Sequence, residues 1–130
     1  MNDVTSCGNA NTHVMSTDTD FLAAADATLA AIGAALDVAS DASDADVDWS
    51  LNDGILEIEA SPGGKIIVNR HGVNREIWVA ARSGGFHFRA SDGVWLDTRG
   101  GDALGPKLEA LLREQLRLDV DLSGLPAAPG

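Results

Sequence analysis

Residues 65–88 constrain the fold more than any other stretch, because they hold three short runs rich in β-branched and aromatic residues. The runs are KIIVNR, EIWVAA and GFHF, and the segments between them, His71-Gly72-Val73-Asn74 and Ser83-Gly84-Gly85, have turn chemistry. Side chains alternate between the two faces of a strand, so Trp78 lies on the face opposite Ile77 and Val79. We predict three successive antiparallel strands.

Further elements are predicted on both sides of this stretch. Residues 46–51 alternate as in an edge strand, Asn52-Asp53-Gly54 is a hairpin turn into a strand at 55–60, and a last strand is expected at 94–96. Apolar residues spaced three or four apart predict one helix before the strands and one after them: Leu22, Ala25, Leu29, Ile32 and Leu36, then Leu104, Leu108, Leu111, Leu112 and Leu118. This order predicts an α+β fold, a two-layer α/β sandwich with both helices on one face of an antiparallel sheet.

The ends of the chain are predicted to lie outside the domain. Residues 1–17 are polar and lack apolar periodicity, so we expect a disordered tail, a domain at 18–126, and a frayed end at 127–130 after a docked Leu122. Asp18, Thr19 or Asp20 is expected to cap the first helix and Asp102 the second.

The charge is strongly negative and unevenly divided. The 130 residues carry a formal net charge of −11. Residues 1–64 contain twelve acidic residues and no Lys or Arg, which gives about −12, whereas the rest contains eight acidic and nine basic residues, about +1. This balance argues against nucleic-acid or anionic-membrane partners and favours cations or basic protein surfaces.

Targeting and redox features are few. Cys7 is the only cysteine, so neither an internal disulfide nor a cysteine metal cluster is expected. We find no signal peptide and no apolar run near the length of a membrane span, and we expect a cytoplasmic protein.

Six aspartates form a candidate cation-binding ridge. On the first helix four fall off the apolar stripe, the last two only if the helix extends that far, and on the first strand two point outward: Asp26, Asp37, Asp41 and Asp44, then Asp46 and Asp48. Carboxylate oxygens bind divalent or ferric cations, but such a spread leaves much of the coordination to water, so binding should be weak and reversible. The structural alternative is a solvated helix face and an edge strand protected from aggregation by its charges.

No catalytic constellation stands out, and we predict a protein that is not an enzyme. The histidines, His13, His71 and His87, are scattered over tail, turn and strand. From the residues alone, Trp78 is either a core residue or, on an open sheet face, part of a recognition surface.

The sequence resembles bacterial frataxins, the CyaY family of iron–sulfur cluster assembly proteins. The resemblance lies in KIIVNR, a polar turn, EIWVAARSGGFHF and DGVWLDTRGG, and covers roughly residues 19–115. It implies that iron binds weakly to the acidic ridge, where Asp26, Asp37, Asp46 and Asp48 match family acids. It also implies docking on a cysteine desulfurase through the ridge, and contacts of an exposed Asn69 and Trp78 with the scaffold protein or the same complex.

The chain departs from the family at Gly33, Ala34 and Val38, where close relatives carry acids, so docking weighs more here than iron capacity. The leading hypothesis is a monomeric, iron-binding regulator or adaptor of iron–sulfur cluster assembly with Fe²⁺ or Fe³⁺ transiently bound. The alternatives are a ferroxidase that stores iron as an oligomer, and an acidic interaction module with no metal role.

Overall fold

The computed structural model describes residues 9–44, 46–60 and 63–129, with side chains from Thr19 onward. Helix α1 spans Asn9–Asp41, and six strands follow it: β1 Val47–Asn52, β2 Ile55–Ala60, β3 Gly64–His71, β4 Glu76–Ala81, β5 Gly84–Ser91 and β6 Val94–Asp97. Helix α2 spans Leu104–Leu111 and continues into a short π-helix, Leu112–Leu116.

The six strands form one antiparallel sheet in sequence order, β1 to β6. The predicted hairpin turn between β1 and β2 is confirmed, with φ angles of 52° at Asp53 and 77° at Gly54. Asp92 and Gly93 repeat this geometry between β5 and β6, at 51° and 81°. Two-residue hairpin turns need such left-handed conformations, which Asp and Gly adopt readily.

Both helices pack on one face of the sheet, which confirms the predicted two-layer α+β sandwich. Helix α1 lies against β1, β2 and β3, and α2 lies against β6. The strands contribute alternate residues to the core between the layers: Leu56, Ile58, Ile66, Val68, Ile77, Val79, Phe88 and Trp95. On the opposite face, which includes Ile67, Asn69, Trp78 and His87, no second layer is formed by the described residues.

Helix α1 differs from its prediction in two respects. It begins at Asn9, ahead of the expected caps at 18–20, so residues 9–17 are helical and only residues 1–8 of the expected tail lie outside the described chain. Extending an existing helix adds one hydrogen bond for each residue ordered, which requires no apolar periodicity. The buried stripe also starts at Phe21, while Leu22 remains 38% exposed.

The statement that no apolar run approaches the length of a membrane span was wrong. The 23 residues Thr19–Asp41 are long and apolar enough to match a membrane span by length and composition. In the fold this apolarity has another cause, because Ala25, Leu29, Ile32 and Leu36 are fully buried against the sheet.

The last elements also depart from expectation. Ala103, instead of Asp102, precedes α2 as its N-cap and makes no side-chain capping bond. Leu122 is buried as predicted, at 3% exposed, and Ala128, in the segment predicted to fray, is 6% exposed. Its N–H donates to the Gly93 carbonyl at 2.8 Å, which fixes the C-terminal segment to the β5–β6 turn. The predicted fraying of Gly130 lies outside the described residues.

Candidate functional site

The predicted ridge follows α1, which ends at Asp41, continues through the α1–β1 connection, which contains Asp44 and Asp46, and reaches β1 at Asp48. All six aspartates, Asp26, Asp37, Asp41, Asp44, Asp46 and Asp48, are exposed. Asp26 and Asp37 are eleven residues apart, which is about 16 Å along a helix axis. The ridge is therefore a strip of separate carboxylates, and among the described residues no three His, Cys, Asp or Glu side chains are grouped to hold one metal ion.

Two of the six carboxylates already have protein partners. Arg70, on β3, donates to Asp26 Oδ1 at 2.6 Å. The Trp49 indole, on β1, donates to Asp37 Oδ1 at 2.8 Å. These bonds tie α1 to the sheet, and a cation would have to compete with them for the same oxygens. Asp41, Asp44, Asp46 and Asp48 make no such contact among those described.

Gly33 explains how Trp49 reaches Asp37. A Cβ atom at Gly33 would lie 2.6 Å from Trp49 Cη2 and 2.8 Å from its Cζ3. The indole therefore lies directly on the backbone of α1, which only glycine permits at this distance. The absence of an acid at this position has a packing reason, whereas Val38 is 71% exposed with no structural explanation for its apolar side chain.

The strand register adds acidic residues that the sequence analysis did not include in the ridge. Asp48 on β1 lies directly opposite Glu59 on β2, and Ser50 lies opposite Glu57. Facing carboxylates repel each other across a strand pair, and a cation relieves that repulsion. Lys65 Nζ lies 3.0 Å from Glu57 Oε1. The hydrogen bond and charge of Glu57, with a smaller effect of Glu59, raise the pKa of Lys65.

Trp78 lies half-buried on the open face, where its ring is enclosed by two imidazoles. The His71 ring stacks at a centroid distance of 3.7 Å and the His87 ring at 4.3 Å, each inclined by 10°. Both faces of the indole are covered by the protein's own side chains, so the ring presents its edge outward. We call His71, Trp78 and His87 the aromatic stack.

Glu76 contacts the aromatic stack through a hydrogen bond from Trp78 and an ion-pair contact with His87. It is 4% exposed, and its Oε1 accepts the Trp78 indole N–H at 2.8 Å while Oε2 accepts from Arg89 at 2.6 Å. Burial alone would raise the pKa of the Glu76 carboxyl. The bonds from Trp78 and Arg89, with the charges of Arg89 and His87, outweigh that cost and lower it.

Glu76 is a candidate site residue that was not predicted from the sequence. The available signal was its position two residues before Trp78 in one strand, which places both side chains on the same face. Asn69, the other predicted docking residue, is the cross-strand partner of Trp78. Beside the two lies a shallow groove of about 210 Å³, lined by Ile67, Ala80, Gly85 and His87 among others.

Comparison with known proteins assigns the family. A model of the frataxin-like domain matches residues 14–118. The chain belongs to the CyaY-type frataxin family. The chain is 43% identical over 106 residues to a protein of Ralstonia nicotianae, covering 82% of this chain and 94% of that protein, and the relative is named iron–sulfur cluster assembly protein CyaY. A protein of the same name from Cupriavidus pinatubonensis is 46% identical over 105 residues, covering 81% and 95%.

Solved structures of frataxins share the fold. Frataxin from Psychromonas ingrahamii superposes with a TM-score of 0.73 at 29% identity, covering 82% of this chain and 97% of that one. Trimeric frataxin from Saccharomyces cerevisiae, complexed with ferrous iron, gives a TM-score of 0.64 at 27% identity, covering 72% and 85%. The resemblance drawn from the strand motifs is confirmed.

Proposed function

We propose that this family member acts in iron–sulfur cluster assembly as an adaptor or regulator that is not itself an enzyme. In this proposal it works in the cytoplasm, binds Fe²⁺ or Fe³⁺ weakly on the acidic ridge, and docks on a cysteine desulfurase and its scaffold protein. The observation that supports it most is that relatives over 40% identical, matched over nearly their whole length, are named iron–sulfur cluster assembly proteins.

The geometry favours weak iron binding, in which water supplies part of the coordination, over tight binding in a site formed by protein ligands alone. The carboxylates lie separately along α1 and β1, and each can supply one or two oxygens while water supplies the others. Asp26 and Asp37 are engaged by Arg70 and Trp49. We therefore assign the iron-accessible part of the ridge to Asp41, Asp44, Asp46 and Asp48, near the end of α1 and the start of β1.

The same surface suits docking on a basic partner. The acidic residues of positions 18–59 lie in or between α1, β1 and β2, and although Asp26 and Glu57 form ion pairs with Arg70 and Lys65, the charge of this part of the molecule stays negative. A field of one sign steers a basic surface into contact and speeds association. On the open face, Asn69 and Trp78 are adjacent and supply a polar group and an aromatic edge for the scaffold protein.

The test of iron binding is an anaerobic Fe²⁺ titration followed by amide NMR, with Mg²⁺ at matched ionic strength as the charge control. We expect selective broadening for residues 41–48 with iron and smaller, diffuse shifts with magnesium. The variant Asp46→Asn/Asp48→Asn should lose most of the iron effect, and Asp92→Asn, on the β5–β6 turn, should keep it. Identical responses to both metals would refute the iron site and leave an acidic docking module.

A second candidate is a ferroxidase that stores iron as an oligomer, favoured by one observation, the trimeric yeast relative complexed with ferrous iron. It predicts oxygen consumption stimulated by the protein, together with a rise in mass on aerobic iron loading. Light scattering and an oxygen electrode on the same sample distinguish the two. A particle that stays monomeric, with oxygen uptake equal to that of iron alone, excludes this candidate.

A further inference from the structure

The buried carboxylate of Glu76 is not part of the proposed iron site. It lies on the open face of the sheet, on β4, away from the aspartates of α1 and β1. A carboxylate that is 4% exposed needs several partners to remain charged, and Glu76 has Arg89 at 2.6 Å, the Trp78 indole at 2.8 Å and His87 Nδ1 at 3.7 Å. Its contacts are concentrated on the aromatic stack, which is the part of the open face that the family resemblance marks for docking.

We propose that Glu76 is the positioning residue of the docking surface: its carboxylate sets the orientation of the Trp78 indole in which the scaffold–desulfurase complex recognises it. This inference rests on the proposed docking role of Trp78.

The geometry supports this role in two steps. The bond from Trp78 Nε1 to Glu76 Oε1 selects one of the two sides of the indole, since only one edge carries the N–H. Arg89 holds the other carboxylate oxygen, so Glu76 cannot turn away without breaking an ion pair at 2.6 Å. The ion pair with Arg89 thus fixes the Glu76 carboxylate, and the hydrogen bond to that carboxylate fixes the Trp78 indole.

The two imidazoles complete the constraint. His71 and His87 stack on opposite faces of the indole and hold its plane, but stacking alone permits the ring to slide or flip within that plane. The hydrogen bond to Glu76 removes that freedom. A ring ordered before binding loses less entropy on docking, and so binds more tightly with the same contacts.

The test compares two side chains of nearly equal length at this position. Glu76→Gln keeps an oxygen that accepts the indole N–H and loses the charge, whereas Glu76→Met fills the same space and offers no such acceptor. Binding to the purified scaffold–desulfurase complex is measured by biolayer interferometry. We expect Kd within about twofold of wild type for Glu76→Gln and about tenfold weaker for Glu76→Met. Glu114→Gln, on the exposed side of the π-helix, is the charge control and should match wild type.

A second measurement needs no partner. Each of the three tryptophans donates its indole N–H to a different acceptor: Trp49 to Asp37, Trp78 to Glu76, and Trp95 to Thr28. The three indole signals in a ¹⁵N spectrum therefore report separately. In Glu76→Met the Trp78 signal should shift and its proton exchange about tenfold faster, while the other two stay in place; unchanged Trp95 and Trp49 signals also show that the variant is folded.

The outcomes separate this inference from the function beneath it. If Trp78→Ala abolishes docking but Glu76→Met binds like wild type, Glu76 does not position the indole and the inference is wrong. If Glu76→Gln weakens binding as much as Glu76→Met while its Trp78 indole signal stays at the wild-type position, the indole is still oriented, the charge acts directly and positioning is excluded. If Trp78→Ala itself binds normally, the docking role of the open face fails, and with it the proposed function of this surface.

Discussion

Gly33 and Trp49 pack against each other and link α1 to β1. Position 33, where close relatives carry an acid, therefore contributes a packing contact instead of a carboxylate. The indole occupies the space where a side chain at residue 33 would lie, and it bonds Asp37 one helical turn further on. Each of the two residues would be unfavourable without the other. A glycine inside a helix costs stability, and a tryptophan on an edge strand exposes apolar area unless something receives it.

Gly33→Ala should therefore destabilise the protein, against the usual effect of this change. In a helix the substitution normally gains about 1 kcal/mol. Here the new methyl group would meet the Trp49 ring at 2.6 Å, and overpacking of that kind costs about 1–3 kcal/mol. We expect a net loss in the free energy of unfolding, measured in urea.

The control is the same change in a Trp49→Leu background. Without the ring, Gly33→Ala should stabilise by up to about 1 kcal/mol, so the sign of its effect reverses between the two backgrounds. A stabilising effect in both would show that Trp49 moves aside at no cost, contrary to the close packing described.

Glu76 should make stability depend on acid pH. Its pKa lies below the ordinary value of 4.5 because the bonds from Trp78 and Arg89 outweigh the cost of its burial. A carboxyl with a lowered pKa in the folded state contributes stability in full above the unfolded value, and loses it as the pH falls through the folded one. The free energy of unfolding of wild type should therefore exceed that of Glu76→Gln at pH 6, and the difference should shrink below pH 4.5. A difference that stays constant from pH 6 to pH 3 would contradict this assignment.

At the residue scale, the sequence predicted which face of the sheet a side chain lies on, but not which side chains it contacts on neighbouring strands. Alternation along β4 placed Trp78 opposite Ile77 and Val79, and this is confirmed. The aromatic stack was not predictable, because His71, Trp78 and His87 come from three strands and meet only through the register that pairs Trp78 with His87 and His71 with Glu76. The same holds for Asp48 and Glu59, whose alternation was visible while their pairing was not.

At the scale of elements, the end of the second helix is tied to two strand connections by one side chain. Gln115, in the π-helix, donates to the Gly63 and Lys65 carbonyls at 2.9 and 3.0 Å and accepts from the Arg82 N–H at 2.8 Å. The helix then closes at Arg117 in the left-handed conformation, with φ 57°. One amide thus joins the β2–β3 and β4–β5 connections to the helical layer.

Gln115→Ala should lower the free energy of unfolding by about 1–2 kcal/mol, because three partly exposed hydrogen bonds are exchanged for bonds to water. The exchange of the Arg82 amide proton should also accelerate, which localises the effect to the β4–β5 turn. Glu114→Ala, the preceding and exposed residue, is the matched control and should change neither quantity. Equal effects of the two substitutions would indicate loss of helix stability instead of loss of the cross-link.

Strands were easier to predict than helix ends. The six strands, their order and two of their turns follow from alternation and from Asp-Gly dipeptides, which are local signals. The path of residues 117–129 depends on tertiary contacts, such as the bond from Ala128 to Gly93, which no local pattern encodes. The domain limits at 18 and 126 accordingly remain predictions.

For the whole molecule, the uneven division of charge becomes a spatial one. Eleven of the twelve acidic residues of positions 1–64 lie in or between α1, β1 and β2, and Asp3 lies outside the described residues; the nine basic residues are distributed over β3 to the C-terminus. An acidic edge and a nearly neutral remainder give the molecule a preferred direction of approach to a basic partner. The uneven charge along the chain could be predicted from the sequence, whereas the side of the molecule that carries it could be identified only from the fold.

This division predicts that the two proposed contact surfaces affect docking kinetics differently. Asp48→Asn should slow association with the desulfurase and flatten its dependence on salt, because exposed charges act through steering that salt screens over about 8 Å at physiological ionic strength. Trp78→Ala should leave the salt dependence unchanged and speed dissociation, because it removes a packed contact. Asp92→Asn is the matched control for lost charge, since asparagine tolerates the φ of 51° at that turn. Association and dissociation rates between 50 and 300 mM salt separate these effects, and equal salt dependence for wild type, Asp48→Asn and Asp92→Asn would show that the acidic edge does not steer the partner.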